Sequence, residues 1–316
     1  PDFTDQQGRI RASNVRVQIN DLNNIQTYCR TNTLSDINGY SKEFQLKRPA
    51  TKDEKNIQAI DVDNFNFKVS YADELLVGRD MIYGLSRNWK AYKKTFRYMR
   101  RITLTHPDYP FNIDLSIVKS SNRLPDKFGK VGKGNLKPEH NVVESNVFNN
   151  PPTYEIEVEV DNKKVGSHVE QFNTPEKVLA SMRKVIKFIL SGLQGTNYPV
   201  SYPEQREVIQ DYMKMIWTGN ENNEQYNPQK YVTSRNFIGP SSVTLQLQNI
   251  GVINQDSLVV NIRDSFVVTE KADGTRTLMY INGDGKIYLI DMLMRVMFTG
   301  AKTTNKANFN CLIDGD

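Results

Sequence analysis

The chain has 316 residues, of which 38% are hydrophobic and 24% are charged, and its formal net charge at pH 7 is +5. This composition is typical of a globular protein long enough for two domains and excludes a largely disordered chain. The mild basic excess is compatible with a polyanionic partner. No apolar run reaches the roughly 18 residues of a membrane-spanning segment and no signal peptide is visible, so we expect no association with a membrane.

The sequence offers no thiolate or imidazole metal site. Its two cysteines, Cys29 and Cys311, are far apart in the chain, and no two of its three histidines stand at the spacing of metal ligands. Two unlinked cysteines indicate a reducing compartment.

Short strand-like segments occupy the first quarter of the chain. Residues 9–19 and 43–47 alternate in polarity, and Asn- and Thr-rich turns lie between them. The segment Phe65–Tyr71 also alternates, and it places Lys68 on the polar face of a predicted strand.

Two further predicted strands carry charge on one face. A segment with six basic residues ends in a pattern that places Arg97 and Arg101 on the same face if the segment is a strand. The next segment, Phe111–Val118, places Asp114 and Ser116 on one face and apolar residues on the other. The alternative interpretation is a charged surface in contact with solvent.

The segment Tyr154–Val160 has the most regular alternation in the chain. Glu155, Glu157 and Glu159 alternate with isoleucine and valine, so three carboxylates share one face of a predicted strand. Such a row repels itself unless it meets water, cations or basic side chains. The pattern favours a strand of a barrel with a polar interior that holds a divalent metal and a phosphorylated substrate, and the alternative is an amphipathic surface strand.

Helices and a linker follow. The residues from Thr174 to about Leu193 and from Pro203 to Trp217 have helical periodicity, and we expect both helices to pack on the outside of the barrel. The polar segment Asn220–Gln229 is a candidate linker. Beyond it, Ser265–Thr269 is a predicted strand, and the turn Asn282–Gly285 predicts a hairpin.

The segment Lys271–Arg276 has the form Lys-x-Asp-Gly-x-Arg. A neutral lysine can attack an α-phosphate, a glycine lets the backbone approach a nucleotide, and an arginine can bind ribose or phosphate. The alternative interpretation is a surface turn between two strands.

These motifs together resemble known enzyme families. The order of the lysine motif, an Ile-Tyr-Leu-Ile-Asp strand containing Tyr288, and the terminal Asp-Gly-Asp ending at Asp316 resembles covalent nucleotidyltransferases. With Phe237–Pro240 ahead of it, this part is most similar to mRNA guanylyltransferases. The first part resembles metal-dependent RNA triphosphatases of the tunnel type, and the combination resembles the multifunctional mRNA-capping enzymes of large DNA viruses.

The resemblance implies an α+β fold. It predicts an antiparallel eight-stranded β tunnel with packed helices over residues 1–235, followed by the N-terminal part of a guanylyltransferase domain over residues 236–316. In the tunnel, it implies that Mg or Mn is bound by Glu155, Glu157 and Glu159, which position water on the γ-phosphate. Asp114 would orient a basic residue or water. The residues implied to hold the phosphates and the RNA end are Arg97, Arg101, Lys68 and Ser116.

In the second domain, the resemblance implies that Lys271 carries GMP as a phosphoramide. Arg276 would contact the nucleotide, Tyr288 would stack on guanine, and Asp316 would stand where the family has a metal-linked glutamate. The implied partners are 5′-triphosphate RNA, GTP and a cap methyltransferase domain or subunit, and the implied location is the cytoplasmic viral factory or the virion.

The sequence also departs from the family pattern. The family has a second Glu-x-Glu strand that faces the first, and we expect it to lie before Pro1 because Asp61 and Asp63 are a poor substitute. Transferase motifs beyond the Asp-Gly-acid strand are missing, and the last acid is aspartate. We therefore expect the chain as given to be a fragment that does not complete guanylyl transfer and is a poor triphosphatase.

Two alternatives remain open. A ligase-type nucleotidyltransferase with a basic N-terminal domain would use Lys271 with ATP and would make the glutamate strand structural. A non-catalytic RNA-binding subunit would retain salt-sensitive RNA binding without metal-dependent turnover.

Overall fold

A computed structural model describes residues 2–4, 10–53, 55–125, 129, 135–216, 232–238, 244–252, 259–263, 265–268, 270 and 273–315. The chain divides into two compact units. Unit 1 comprises Pro1–Val62 and Phe67–Met182, and unit 2 comprises Asp63–Asn66 and Arg183–Asp316.

Helices and antiparallel strands make up the described part of the chain. The helices are α1 (Leu22–Thr31), α2 (Arg79–Arg87), α3 (Val142–Ser145), α4 (Pro175–Gln194), α5 (Tyr202–Met215) and α6 (Leu247–Ile250). The strands of unit 1 are β1 (Asp2–Thr4), β2 (Ile10–Ala12), β3 (Val15–Ile19), β4 (Lys42–Pro49), β5 (Thr51–Lys52), β6 (Lys55–Asn56), β7 (Ile60–Val62), β8 (Phe67–Val69), β9 (Ala72–Leu76), β10 (Arg97–Thr105), β11 (Phe111–Ser120) and β12 (Thr153–Val160). The strands of unit 2 are β13 (Thr277–Ile281), β14 (Lys286–Asp291), β15 (Val296–Lys302) and β16 (Cys311–Gly315).

The first core of unit 1 lies on one face of the sheet β3-β4-β9. Val15, Val17 and Ile19 alternate with polar residues along β3, so they share the face that packs on this core. The buried members of the core are Tyr28, Leu34, Ile37, Phe44, Val77, Trp89, Val142 and Val147. Inside it, the Trp89 indole N–H donates to the Tyr28 hydroxyl at 2.8 Å, which satisfies a buried polar group.

The second sheet of unit 1 has the order β10-β11-β12. All three strands were predicted from alternation, and the structure confirms them as neighbouring antiparallel strands. The register sets Arg101 opposite Ser116 and Ser116 opposite Glu155. Two residues further along each strand, Thr103, Asp114 and Glu157 lie side by side. The polar faces of the three strands therefore form one continuous surface.

Unit 2 is built on the sheet β15-β14-β13-β16. The predicted hairpin at residues 282–285 is confirmed as the connection between β13 and β14. Helix α5 packs on this sheet, because Val208 and Tyr212 join the buried cluster formed by Leu278, Tyr280, Tyr288, Ile290, Met294 and Val296. The prediction that α5 packs on the outside of the first domain is therefore wrong. Its apolar stripe was recognised correctly, but periodicity does not identify the surface that a stripe covers.

A glycine with positive φ closes the β13–β14 hairpin. Gly285 has φ of +80°, and a Cβ atom added there would approach the Thr303 carbonyl oxygen to 2.2 Å. The Thr303 amide donates to the Gly285 carbonyl at 2.9 Å, which fixes the turn against the segment that follows β15. Glycine is therefore required at this position for both conformation and space.

The fold class is confirmed in its coarser form, a mixture of α-helices and antiparallel sheets. Among the described residues the strands form six separate sheets, and no closed eight-stranded tunnel is found. Strands β10 and β12 both lie at edges of their three-stranded sheet. The strand predicted at 265–269 is not present in its described residues, 265–268.

The predicted boundary between residues 235 and 236 stays a prediction. The grouping into compact units assigns α5 to the second unit, ahead of that boundary.

Within the parts of the chain that the structure describes, none of the helices combines the length and apolar character needed to cross a membrane.

A buried lysine lies at the edge of the first core. Lys94 is 3% exposed, and its ammonium group donates to the backbone carbonyls of Trp89 at 2.8 Å and Tyr92 at 2.6 Å. It also lies 5.2 Å from the centre of the Trp89 ring. Burial lowers the pKa of Lys94 to about 8, against the opposing attraction of Glu144.

We expect the stability of the chain to rise with pH in a window set by Lys94. Its folded-state pKa lies below the ordinary value of 10.5, so between about pH 8 and 10.5 the unfolded chain binds a proton that the folded chain has released. The free energy of unfolding should rise there by at most about 1.4 kcal/mol per pH unit. Urea unfolding followed by tryptophan fluorescence at pH 7.5 and 9.5 should show this rise in the wild type and its loss in Lys94→Met. Equal slopes in the two proteins would contradict the assignment.

Candidate functional site

The polar face of β10-β11-β12 gathers most of the residues predicted for the first site. Side chains at alternate positions of a strand share a face, so the register places Arg97, Arg101, Asp114, Ser116, Glu155, Glu157 and Glu159 on one face. Asp114 and Ser116 lie on the central strand and are 6% and 3% exposed. The alternation in sequence predicted which face each residue occupies, and the strand pairing brings the faces together.

Arg101 is the centre of an ion network on this face. Its Nη1 lies 2.9 Å from Asp114 Oδ2, and its Nη2 lies 2.6 Å from Glu157 Oε2. Its Nε donates to the Ser116 hydroxyl at 3.1 Å. One guanidinium group thus spans all three strands, and its fork geometry suits two carboxylates at once.

A second arginine binds the first glutamate of the row. Arg97 Nη2 lies 2.5 Å from Glu155 Oε2, and both side chains are about one third exposed. The environment of Asp114 differs, because its side chain is 8% exposed and its Oδ1 accepts a hydrogen bond from the Thr103 hydroxyl at 2.6 Å. Removing Arg101 would therefore leave a buried charge, whereas removing Arg97 would leave a charge that water reaches.

The charges on this face do not balance. The four carboxylates of Asp114, Glu155, Glu157 and Glu159 face two guanidinium groups, which leaves an excess of two negative charges. Carboxylate oxygens are the donors that Mg²⁺ prefers, and one divalent cation would neutralise this excess. The donor chemistry therefore fits such a cation. In the arrangement described, Glu155 and Glu157 are bound to arginines, and no three acidic, histidine or cysteine side chains among the described residues converge on a common point.

The opposite face of the same sheet is apolar and exposed. Ile102, Ile117 and Tyr154 are 65%, 44% and 79% exposed. On the central strand β11, the side chains of the polar face are more buried than those of the apolar face. Val118, which follows Ser116 along the polar face, is fully buried. The charged side chains thus occupy one face of the sheet and the apolar side chains the other, as the alternation predicts, and their arrangement around a barrel interior stays a prediction.

Lys68 is not part of this cluster. It lies on β8, which pairs with β7 in a separate two-stranded sheet, and its ammonium group lies 3.1 Å from Asp61. Both side chains are about 60% exposed. The structure thus gives Lys68 an exposed partner on its own hairpin. The alternation that suggested a seven-residue strand is realised over only three residues, Phe67–Val69.

The second predicted site is described in part. Lys271 and Asp316 lie outside the described residues. Arg276 donates to both carboxylate oxygens of Asp314, from Nε at 3.0 Å and from Nη2 at 2.6 Å. Hydrogen bonding from Arg276 holds the pKa of Asp314 below its ordinary value. The arginine of the lysine motif and the Asp-Gly-acid strand therefore meet, with Asp314 as the contact, and the predicted roles of Arg276 and Asp316 stay predictions.

Tyr288 lies in the core of unit 2. Its side chain is fully buried, its ring lies 5.3 Å from that of Phe298, and its hydroxyl donates to Glu204 Oε1 at 2.7 Å. Burial and the neighbouring Glu204 raise the pKa of Tyr288. In this structure the packed ring offers no exposed face to a ligand, and the stacking of Tyr288 on guanine stays a prediction. The inward face of this strand is filled by packing.

Glu204 also binds Lys286, at 2.7 Å. Burial tends to raise the pKa of Glu204, but the hydrogen bonds from Lys286 and Tyr288 outweigh it and hold that pKa below its ordinary value. Sequence reasoning missed this helix-to-sheet contact and also missed Thr103 as a partner of Asp114. For Thr103 a signal existed, because it continues the alternation of Arg97 and Arg101.

The chain is similar to a viral protein. It is 27% identical over 166 residues to the "Probable mRNA-capping enzyme" of Acanthamoeba polyphaga mimivirus. The match covers 52% of this chain and 11% of that protein, so the chain corresponds to about a tenth of its relative's length. No family model matches the chain, and no solved structure matches it. The similarity supports a distant relationship to a capping enzyme and carries no detail about domains or residues.

We expect Arg101 and Arg97 to differ in their effect on stability. Arg101→Met should lower the free energy of unfolding by about 2–4 kcal/mol, because it leaves the buried Asp114 without its counter-charge. Arg97→Met should lower it by less than about 1 kcal/mol, because the pair with Glu155 is partly exposed and screened. Urea denaturation of the two variants provides the comparison, and equal losses would contradict the network described.

Proposed function

We propose that the chain carries the RNA 5′-triphosphatase part of an mRNA-capping enzyme, joined to the beginning of a guanylyltransferase. The observation that carries the proposal is the polar face of β10-β11-β12, where Arg101 binds Asp114 and Glu157 and Arg97 binds Glu155, with Glu159 on the same face. The similarity to a mimivirus protein named as a probable capping enzyme supports the general role. The phosphatase and transferase activities, and the closed tunnel with this sheet as one wall, are parts of the proposal.

Arg97 and Arg101 would bind the phosphates of a 5′-triphosphate RNA end. Both guanidinium groups are hydrogen-bonded to carboxylates on the polar face, which fixes their positions there. Asp114 and Ser116 would keep Arg101 in place while its outer N–H groups turn from Glu157 to phosphate oxygens, since both are bound to it at 3.1 Å or less. The arrangement therefore supplies positioned cations for a polyanion.

The same face requires a divalent cation before it can accept a triphosphate. Four carboxylates against two arginines would repel an anionic substrate. Glu155, Glu157 and Glu159 would hold Mg²⁺ or Mn²⁺ through oxygen atoms. When bound, such a cation neutralises phosphate charge and generates a nucleophilic water for hydrolysis of the γ-phosphate. Glu159 is exposed and lies at the end of the glutamate row that is farther from Arg97.

In the second unit, Lys271 would attack the α-phosphate of GTP, so that a P–N bond forms and pyrophosphate leaves. Arg276 would contact the nucleotide, and Asp316 would take the place of the family's metal-linked glutamate. The pair formed by Arg276 and Asp314 supports this role, because it joins the end of the lysine motif to β16. Partners in this proposal are triphosphate RNA, GTP and a cap methyltransferase, and the site of action is the cytoplasmic viral factory or the virion.

Metal-dependent phosphate release tests the first activity. With the full-length protein that contains this chain, RNA labelled at the γ-phosphate should release phosphate in the presence of Mn²⁺ and not in the presence of EDTA. Glu157→Gln should reduce the rate at least about 100-fold, because the substitution removes both a metal ligand and a partner of Arg101.

The matched control is Glu139→Gln. Glu139 is also an ion-paired glutamate of unit 1, with Lys137, but it lies off the sheet face. Its variant should hydrolyse RNA at the wild-type rate. Phosphate release that survives Glu157→Gln, or that EDTA does not affect, would refute the triphosphatase proposal and favour a structural role for the glutamate strand.

Covalent labelling tests the second activity in the full-length protein that contains this chain. Incubation with α-labelled GTP should transfer label to the protein, and Lys271→Met should abolish the transfer because no other residue is proposed to supply the amine. Labelling by ATP in place of GTP would show a ligase-type nucleotidyltransferase. Salt-sensitive RNA binding with neither activity would show a non-catalytic subunit.

A further inference from the structure

An aromatic residue far from the lysine motif in sequence meets that motif in the fold. Phe237 follows a short 3₁₀ turn, Ser234–Asn236. The centre of its ring lies 5.5 Å from Cζ of Arg276, which is within the range of a cation–π contact. Phe237 also packs against the core of unit 2, so its ring does not depend on Arg276 for its position.

Tyr212 fixes the backbone on both sides of Phe237. The fully buried Tyr212 hydroxyl donates to the Asn236 carbonyl at 2.7 Å and accepts from the Ile238 amide at 2.7 Å. Two hydrogen bonds to the flanking peptide groups hold the segment on α5. The position of the Phe237 ring therefore depends on α5, which lies earlier in the chain.

Two of the contacts of the Arg276 guanidinium group come from different parts of unit 2. Asp314 binds it at Nε and Nη2, and Phe237 contacts it through its ring. Asp314 belongs to β16 and Phe237 to the segment that Tyr212 fixes, so the two contacts come from separate elements of unit 2. An arginine held in this way loses less rotamer freedom when an anion binds.

We propose that Phe237 is a positioning residue for nucleotide binding, which orients Arg276 toward the phosphate or ribose of GTP. The inference rests on the proposed function of the second unit and extends it to the segment at residues 232–238. It makes this segment part of the nucleotide site although Lys271 lies more than 30 residues further along the chain. Phe237 itself acts through Arg276.

Two measurements on the purified chain test the inference. Calorimetry with GTP and Mn²⁺ should show binding about three- to tenfold weaker in Phe237→Leu, the range expected for loss of one cation–π contact. Phe237→Tyr should restore the affinity because it keeps an aromatic ring. Hydrogen exchange of the Arg276 Nε–H, identified by its loss in Arg276→Lys, should be faster in Phe237→Leu without any nucleotide.

Phe298→Leu is the matched control. Phe298 packs on the same core and also has a cation–π contact, with Lys286 at 5.6 Å. Its variant should keep the GTP affinity and the Arg276 exchange rate of the wild type. An unchanged exchange rate or an unchanged affinity in Phe237→Leu would overturn the inference. A wild-type chain that binds no GTP, while Phe237→Leu still speeds the exchange, would instead count against the proposed function of the second unit.

Discussion

The charge balance on one sheet face is the constraint on which unit 1 depends. A strand with a carboxylate at every second position repels itself, and β12 is stable in this sheet because its neighbours supply compensating groups. Arg101 spans three strands to bind Asp114 and Glu157, and Arg97 binds Glu155. The compensation is incomplete, and this incompleteness gives the face its chemical character. Under the proposed function, a divalent cation would supply the two positive charges that the arginines leave uncompensated.

Under the proposed function, the same interactions would make the face selective about what it binds. A polyanion alone would meet a surplus of negative charge, and a cation alone would meet Glu155 and Glu157 already bound to arginines. Bound together, a cation and a phosphate chain would exchange partners with these ion pairs, so that the arginines would bind phosphate while the glutamates would hold the cation. Asp114 would remain bound to Arg101, because its burial makes the loss of that partner costly.

Alternation in the sequence predicted much of this arrangement. It identified β10, β11 and β12 and assigned Arg97, Arg101, Asp114 and the three glutamates to one face, because the side-chain period of a strand is strictly two. It did not predict which arginine binds which acid, since an arginine side chain reaches a neighbouring row and the pairing depends on sheet twist. Closure of the sheets into a tunnel depends on contacts between distant strands, and no local pattern encodes them.

The second unit shows a different limit. Motif order singled out Arg276 and Tyr288, but it carried no information about their burial. Tyr288 is buried because its strand position faces α5, and the helix that covers it was assigned to the other domain from its periodicity alone. The contact of Phe237 with Arg276 could not be predicted from the sequence either. It depends on the hydroxyl of Tyr212, which bonds the peptide groups on both sides of Phe237, and the sequence indicates only that Tyr212 is an aromatic residue in a helix.

The turn at Gly285 bears on how relatives of this chain can be recognised. With φ of +80° and a neighbouring carbonyl oxygen where a side chain would begin, the position tolerates no other amino acid without rebuilding the hairpin and the segment after β15. A distant homologue that shares this sheet should therefore keep a glycine there even where the surrounding letters have diverged. An alignment that pairs Gly285 with another residue therefore implies either a shifted register or a rebuilt hairpin in the relative, and the motif residues on either side should be matched with that in view.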